Sequence, residues 1–254
     1  MTSPTSAPAP TGLLGRGLVR ARREIGVVAA ILIFAAGLLG FLSVADAVTD
    51  NHTRAFDMGI LTMLRQPGDV SAPIGPEWLR LAAIDITSLG SVIDLVVIVL
   101  VVAGLFVALR KYTEALLLLA AGASGLLMVD IIKIVVGRQR PPLAFHAVQV
   151  ANASFPSGHA MLSAIVYLSL ATLAGHFAGS RRVRIYALGA GMALTVTVGA
   201  SRVYLGVHWP TDVIGGWALG SAWAMLWWLI AWFVEHRHHR PVTAAEGLHG
   251  NNQG

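Results

Sequence analysis

The chain has 254 residues, of which 56% are hydrophobic and 12% charged, about half of the roughly 25% charged usual in soluble domains. With a mean hydropathy of +0.69, it carries more apolar surface than one soluble core can bury, so it reads as an integral membrane protein. The net charge of +5 does not point to nucleic acid, because the basic residues stand in short clusters between apolar runs, and the absence of cysteine excludes disulfides, thiol nucleophiles and thiolate metal sites.

Residues 1–15, rich in Pro, Gly and polar side chains, read as a disordered tail. Arg16, Arg20, Arg22 and Arg23 then precede a first apolar run, Ile25–Ala45. About 20 apolar residues suffice for a helix to cross a bilayer. Basic residues followed by an apolar run and "VADA" also resemble a secretory signal, but a signal core holds about 7–15 residues, so the length favours a retained span. Residues 46–87 form an outer segment with Asp46, Asp50, Asp57, Asp69, Glu77 and Asp85. Within it Phe56, Ile60, Met63 and Leu64 recur at helical spacing until Pro67–Gly68, which predicts a short helix in the membrane interface.

Five further spans follow: Ser88–Leu109, Glu114–Val136 with Gly137 as its C-cap, Gly158–Phe177, Val183–Ser201 and Val213–Val234. Residues 241–254 read as a second tail, leaving an all-α, six-span membrane bundle over residues 16–240. Arg110 and Lys111, then Arg181, Arg182 and Arg184, then Arg237 and Arg240 fall on the same side as the N-terminal arginines. By the positive-inside rule both termini face the cytoplasm. Trp227, Trp228 and Trp232 fit an aromatic belt at the inner face, and Trp209 one at the outer face.

Six spans place three polar stretches at one outer face: "KIVVGRQRPP", "FPSGHA" and "SRVYLGVHWPTD". One pocket there gathers Lys133, Arg138, Arg140, His159, Arg202, His208 and Asp212. Four cations without a carboxylate cluster call for an anion, and arginine forks suit phosphate oxygens. Ser157 is a natural N-cap whose helix points free N–H groups at an anion, and Gly158 lets the backbone approach it. Pro210 fits the first turn of the last helix, with His208 before it and Asp212 within it. Asp212 then fixes the tautomer of His208, whose other nitrogen is the nucleophile, and His159 serves as acid. Read singly the same residues are blander: Arg138 as an interfacial anchor, Lys133 as a partner of Asp130 on the same helix face. His52, His146 and His176 read as solvated, His236, His238 and His239 as part of the inner basic cluster, and Asp94 as a solvated interfacial carboxylate.

The three stretches resemble the type 2 phosphatidic acid phosphatase superfamily, which also includes the vanadium haloperoxidases. Its pattern K-x(6)-R-P, P-S-G-H, S-R-x(5)-H-x(3)-D is matched at every interval by Lys133 to Pro141, Pro156 to His159, and Ser201 to Asp212. The resemblance implies that Lys133, Arg140, Arg202, Ser157 and Gly158 bind phosphate, and that His208, oriented by Asp212, becomes a phosphohistidine. His159 then protonates the leaving group and activates water. Arg138 is a further candidate for the phosphate. It implies no cofactor and no metal. The haloperoxidase branch, being soluble, fits poorly. The expected activity is hydrolysis of a lipid phosphate or diphosphate at the outer face of a bacterial inner membrane. Undecaprenyl diphosphate comes first, with phosphatidate, phosphatidylglycerol phosphate and lipid A phosphates as alternatives. A phosphotransferase would use the same residues. A transporter fits less well, because intramembrane charge below the outer mouth is confined to Asp130 and a His–Asp pair is surplus to anion binding.

Overall fold

The apolar runs fold as helices, the form that satisfies every backbone group within its own segment in lipid. In a computed structural model describing residues 13–150, 152–178 and 180–238, the long helices are α1 (Leu13–Thr49), α4 (Val92–Ala108), α5 (Tyr112–Val136), α6 (Gly158–Phe177), α7 (Arg181–Tyr204) and α8 (Pro210–His238). Two shorter ones, α2 (Arg54–Met63) and α3 (Glu77–Ser88), come between α1 and α4. Among the described residues five helices are long and apolar enough to cross a membrane, and the pair α3–α4 passes the same test when taken together. The all-α membrane bundle expected from the sequence is therefore present. Residues 1–12 and 239–254 lie outside the described residues, as do His239 and Arg240 of the basic cluster. The last three residues of the expected N-terminal tail, Leu13–Gly15, already belong to α1.

The short helix expected around Phe56 to Leu64 is α2, and beyond it β1 (Arg65–Gln66) pairs antiparallel with β2 (Asp69–Pro73) around Pro67–Gly68. Gly68 supplies the positive φ of that turn. Two expectations need correction. The second span is not one helix from Ser88: α3 ends there, Ser91 caps α4, and the two helices meet at 49°. Asp94 is more than a solvated carboxylate, for it stands in the first turn of α4, three residues after the Ser91 cap that accepts its N–H. A carboxylate at that position offsets the positive end of the helix dipole.

The main core runs between α1, α4, α5, α6 and α8, through Phe41, Leu95, Val99, Val129, Met161, Ile165 and Leu219. Phe41 of α1 stacks on Phe155 just before α6 at 5.6 Å between centroids, so α1 is packed into the bundle. Small residues let α8 lie against α6 backbone to backbone. A Cβ on Gly216 would fall 2.8 Å from the Ser157 carbonyl oxygen, and one on Gly220 2.5 Å from that of Met161. This close approach sets the first turns of α6 and α8 side by side. Gly220→Val should therefore overpack the seam at a cost of about 1–3 kcal/mol, seen as a fall of several degrees in the melting temperature of the detergent-purified protein.

Candidate active site

The C-terminal ends of α5 and α7 and the N-terminal ends of α6 and α8 meet at the same end of the bundle. Helix α5 stops at Gly137, whose left-handed φ of 59° and N–H bond to the Lys133 carbonyl make the expected C-cap. Ser157 caps α6, its Oγ accepting from Ala160 N, while its own N–H donates to the Asp212 carbonyl at 3.0 Å. Pro210 opens α8 as expected.

Between α7 and α8 the chain turns through Gly206 at φ 73°. A Cβ there would stand 2.0 Å from the Phe145 carbonyl oxygen and 2.1 Å from Arg65 Nη2, so only glycine fits. Arg65, from β1, is buried beneath this turn and donates to the carbonyls of Leu64, Tyr204 and Phe145. Burial holds its guanidinium below its ordinary pKa. It clamps the outer ribbon and the 3-10 turn Leu143–Phe145 to the end of α7.

His208 is 1% exposed. Its Nδ1 lies 3.3 Å from Asp212 Oδ2 and its Nε2 3.2 Å from Arg140 Nη1. With Nδ1–H donating to the carboxylate, Nε2 carries the lone pair. Burial pushes the imidazole down to about 3, against the pull of Asp212. His208 is thus neutral across ordinary pH, the state a nucleophile needs. Asp212 is held from several sides: Trp209 N–H donates to Oδ2 at 2.9 Å, Ser154 Oγ donates to the same oxygen, and Arg138 Nη1 donates to Oδ1 at 2.5 Å.

Arg202 is 4% exposed, yet among the described residues its side chain donates only to Thr87 Oγ1 at the end of α3, and its buried Nε has no partner. Arg140 donates to the Val207 and Asn152 carbonyls and to Asn152 Oδ1. Among the described residues neither guanidinium has a carboxylate within ion-pair distance. Lys133 does not pair with Asp130; it turns inward, so that a Cβ on Gly158 would come within 3.8 Å of its Nζ. His159, half-buried, is within electrostatic reach of Arg202, His208, Lys133 and Arg140. Desolvated cations without counter-charge are costly unless an anion joins them. His208 and Arg202 form the floor of the site, and the half-buried Lys133, Arg140 and His159 its accessible side.

Arg138 is not an interfacial anchor. Its two terminal nitrogens are taken up by Asp212 and by Asp57 of α2 at 2.7 Å, with Thr211 and Thr53 hydroxyls beside them. Trp209 does not belong to an outer belt either: it is buried, donates to the Gln139 carbonyl, and lies under Arg54 and Arg138. His146 is half-buried on the Pro141 carbonyl rather than solvated, whereas His52 is exposed. The side chains of His176, His236 and His238 lie outside the described residues.

Sequence reading missed Asp57, Thr87, Asn152, Ser154 and Thr211. Asp57 alone left a signal, since it shares a helix face with Leu61 rather than with the apolar stripe of Phe56 and Met63.

Residues 113–236 match the model of the PAP2 superfamily. Phosphatidylglycerophosphatase B of Bacillus subtilis is 37% identical over 204 residues, spanning 78% of this chain and 92% of that protein. The chain belongs to the PAP2 superfamily. A crystal structure of a transmembrane PAP2-type phosphatidylglycerolphosphate phosphatase from Bacillus subtilis superposes with a TM-score of 0.70 at 29% identity, covering 82% of this chain and 98% of that one. An undecaprenyl-diphosphatase of Sulfolobus acidocaldarius is similar over a shorter stretch, 34% identical across 37% of this chain and 39% of that protein. The family makes this multi-pass membrane protein a phosphoric ester hydrolase, the activity expected from the motifs.

The buried neutral histidine carries a stability consequence. Its folded pKa lies below the unfolded value of about 6.5, so its contribution is full above that value and is lost as pH falls. Between pH 7 and 5 the protein should lose up to about 2 kcal/mol more stability than His208→Gln, measured as the pH dependence of the two melting temperatures. Gly158→Ala should leave melting unchanged, because its methyl meets only ordinary contacts, but should weaken inhibition by inorganic phosphate.

Proposed function

We propose that the chain is a lipid phosphatase whose site opens at the outer face of a bacterial cytoplasmic membrane, with both termini in the cytoplasm. The observation that carries this reading is the buried Arg202 guanidinium, without a carboxylate, within electrostatic reach of the His208–Asp212 pair. The surplus of Lys133, Arg140 and Arg202 suits a phosphate, and the free N–H groups of the first turn of α6 add donors. The sidedness rests on the alternation of basic loops.

In this mechanism the Nε2 lone pair of His208 attacks phosphorus in line. The bond from phosphorus to the lipid oxygen breaks, and His159 gives that oxygen its proton. Asp212 stabilises the charge that develops on the imidazole. Water then attacks the phosphohistidine, His159 takes its proton, and the P–N bond breaks to restore His208. The three cations hold the equatorial oxygens throughout, where preorganised positive charge lowers the barrier most.

A site at a bundle end suits a substrate whose tail stays in lipid. Phosphatidylglycerol phosphate is the first lipid to offer, because the relative matched along most of its length is named for it. Undecaprenyl diphosphate, favoured from the sequence alone, is the second.

Phosphate release by the purified full chain in detergent, with EDTA present, tests the reading. Release should survive the chelator and vanish in His208→Ala; loss with EDTA would remove the metal-free mechanism. Arg202→Ala should cost about 100- to 1,000-fold. His159→Ala should impair monoester cleavage more than diphosphate cleavage, since an expelled phosphate needs a proton less than an expelled alkoxide does. Equal losses on the two substrates would refute the acid role of His159.

A further inference from the structure

Arg138 sits between two fully buried carboxylates. Its Nη1 is 2.5 Å from Asp212 Oδ1 and 2.8 Å from Thr211 Oγ1, and its Nη2 is 2.7 Å from Asp57 Oδ2 and 3.0 Å from Thr53 Oγ1. Asp57 in turn accepts the Thr211 N–H at 3.0 Å and the Thr211 hydroxyl at 2.7 Å. The Thr211 N–H is in the first turn of α8, where no helix carbonyl is available. A carboxylate from α2 therefore caps the helix that carries Asp212. From the geometry we infer that Asp57 and Arg138 are positioning residues for the reaction, holding Asp212 so that His208 keeps its tautomer and its line of attack. The inference rests on the proposed role of His208 as nucleophile.

Three features favour positioning over phosphate binding or simple support. Both terminal nitrogens of Arg138 are committed to carboxylates, so this guanidinium is neutralised, whereas Arg140 and Arg202 are not. The two oxygens of Asp212 are divided, Oδ1 to Arg138 and Oδ2 to His208, which fixes the plane of the carboxylate relative to the imidazole. Finally, the chain of contacts joins α2, the α5–α6 loop and the first turn of α8. The outer segment is thereby tied to the nucleophile rather than merely covering the bundle. Buried pairs of this kind are strongly coupled, and removing one member leaves the other charge stranded.

The test compares Asp57→Asn, Arg138→Lys, Arg138→Met and the double variant Asp57→Asn/Arg138→Met in the purified full chain, with His208→Ala as control. Steady-state kcat and KM, inhibition by inorganic phosphate, and the rate of acid-labile phosphoenzyme formation after rapid quench are measured. Asp57→Asn and Arg138→Met should each lower kcat and phosphoenzyme formation by about 10- to 100-fold, as loss of an orienting partner does elsewhere. KM and phosphate inhibition should stay within about twofold, and the double variant should be no worse than Arg138→Met alone. Arg138→Lys, which keeps one charge between the carboxylates, should recover part of the rate. Should Arg138→Met fail to fold, Asp57→Asn and Arg138→Lys carry the test alone.

An unchanged kcat in Asp57→Asn, or losses that multiply in the double variant, would overturn the inference. So would weakened phosphate inhibition in Arg138→Lys, which would place Arg138 in the phosphate clamp. Activity surviving in His208→Ala would instead overturn the nucleophile assignment beneath it.

Discussion

The carboxylate of Asp212 is the point on which the site depends. Fully buried at the first turn of α8, it receives donors from its own helix start, from Ser154, from His208 and from Arg138. Its backbone carbonyl also accepts the N–H of Ser157, the cap of α6. One residue thus fixes the imidazole, binds the loop after α5 and sets the two helix N-termini beside each other. The glycine seam between α6 and α8 makes this possible, because side chains at Gly216 and Gly220 would drive the helices apart.

Around that hub the charges are not balanced. Arg138 is paired with both Asp57 and Asp212, whereas Lys133, Arg140 and Arg202 have no carboxylate within ion-pair distance among the described residues, which leaves a surplus of positive charge. A phosphate monoester carries close to two negative charges near neutral pH. The protein places the surplus unevenly: Arg138 spends its charge on the two carboxylates, while Arg140 and Arg202 keep theirs for a ligand. Burial of Arg202 amplifies the effect, because a desolvated guanidinium attracts an anion more strongly than one in water. The same burial keeps His208 neutral. In the proposed mechanism desolvation therefore supplies both the electrostatic pull on phosphate and the free lone pair that attacks it.

The membrane bundle and the spacing of the polar residues were legible in the sequence because each leaves a local trace. Twenty apolar residues mark a span, Gly137 and Ser157 mark helix ends, and the intervals among Lys133, Arg140, His208 and Asp212 match a family pattern. What stayed hidden depends on tertiary contact. The break after Ser88 interrupts an apolar run with no proline, and only its packing against α7 shows why Gly90 stands there: a Cβ would lie 2.3 Å from Val198 Cγ1. Asp57 read as one of six acidic residues in an outer segment, since nothing in a sequence says that its partner lies 81 positions away. Arg138 read as either an anchor or a phosphate ligand for the same reason, its two carboxylates coming from different helices.

The outer segment consequently has a different standing from that of a cover. Its helix α2 turns Phe56 and Met63 outward, 53% and 77% exposed, and Asp57 and Leu61 inward. The helix thus presents an apolar stripe outward while its inner face caps α8. Arg65, two residues beyond α2, ties the following ribbon to the end of α7 through the Tyr204 carbonyl and to the 3-10 turn through that of Phe145. The turn that carries His208 is therefore held on both flanks, at Tyr204 by Arg65 and at Thr211 by Asp57, two residues of one short stretch. A bundle of spans alone would leave that turn without these contacts. The segment restrains it, which in the proposed mechanism lessens the reorganisation that attack on phosphorus would require.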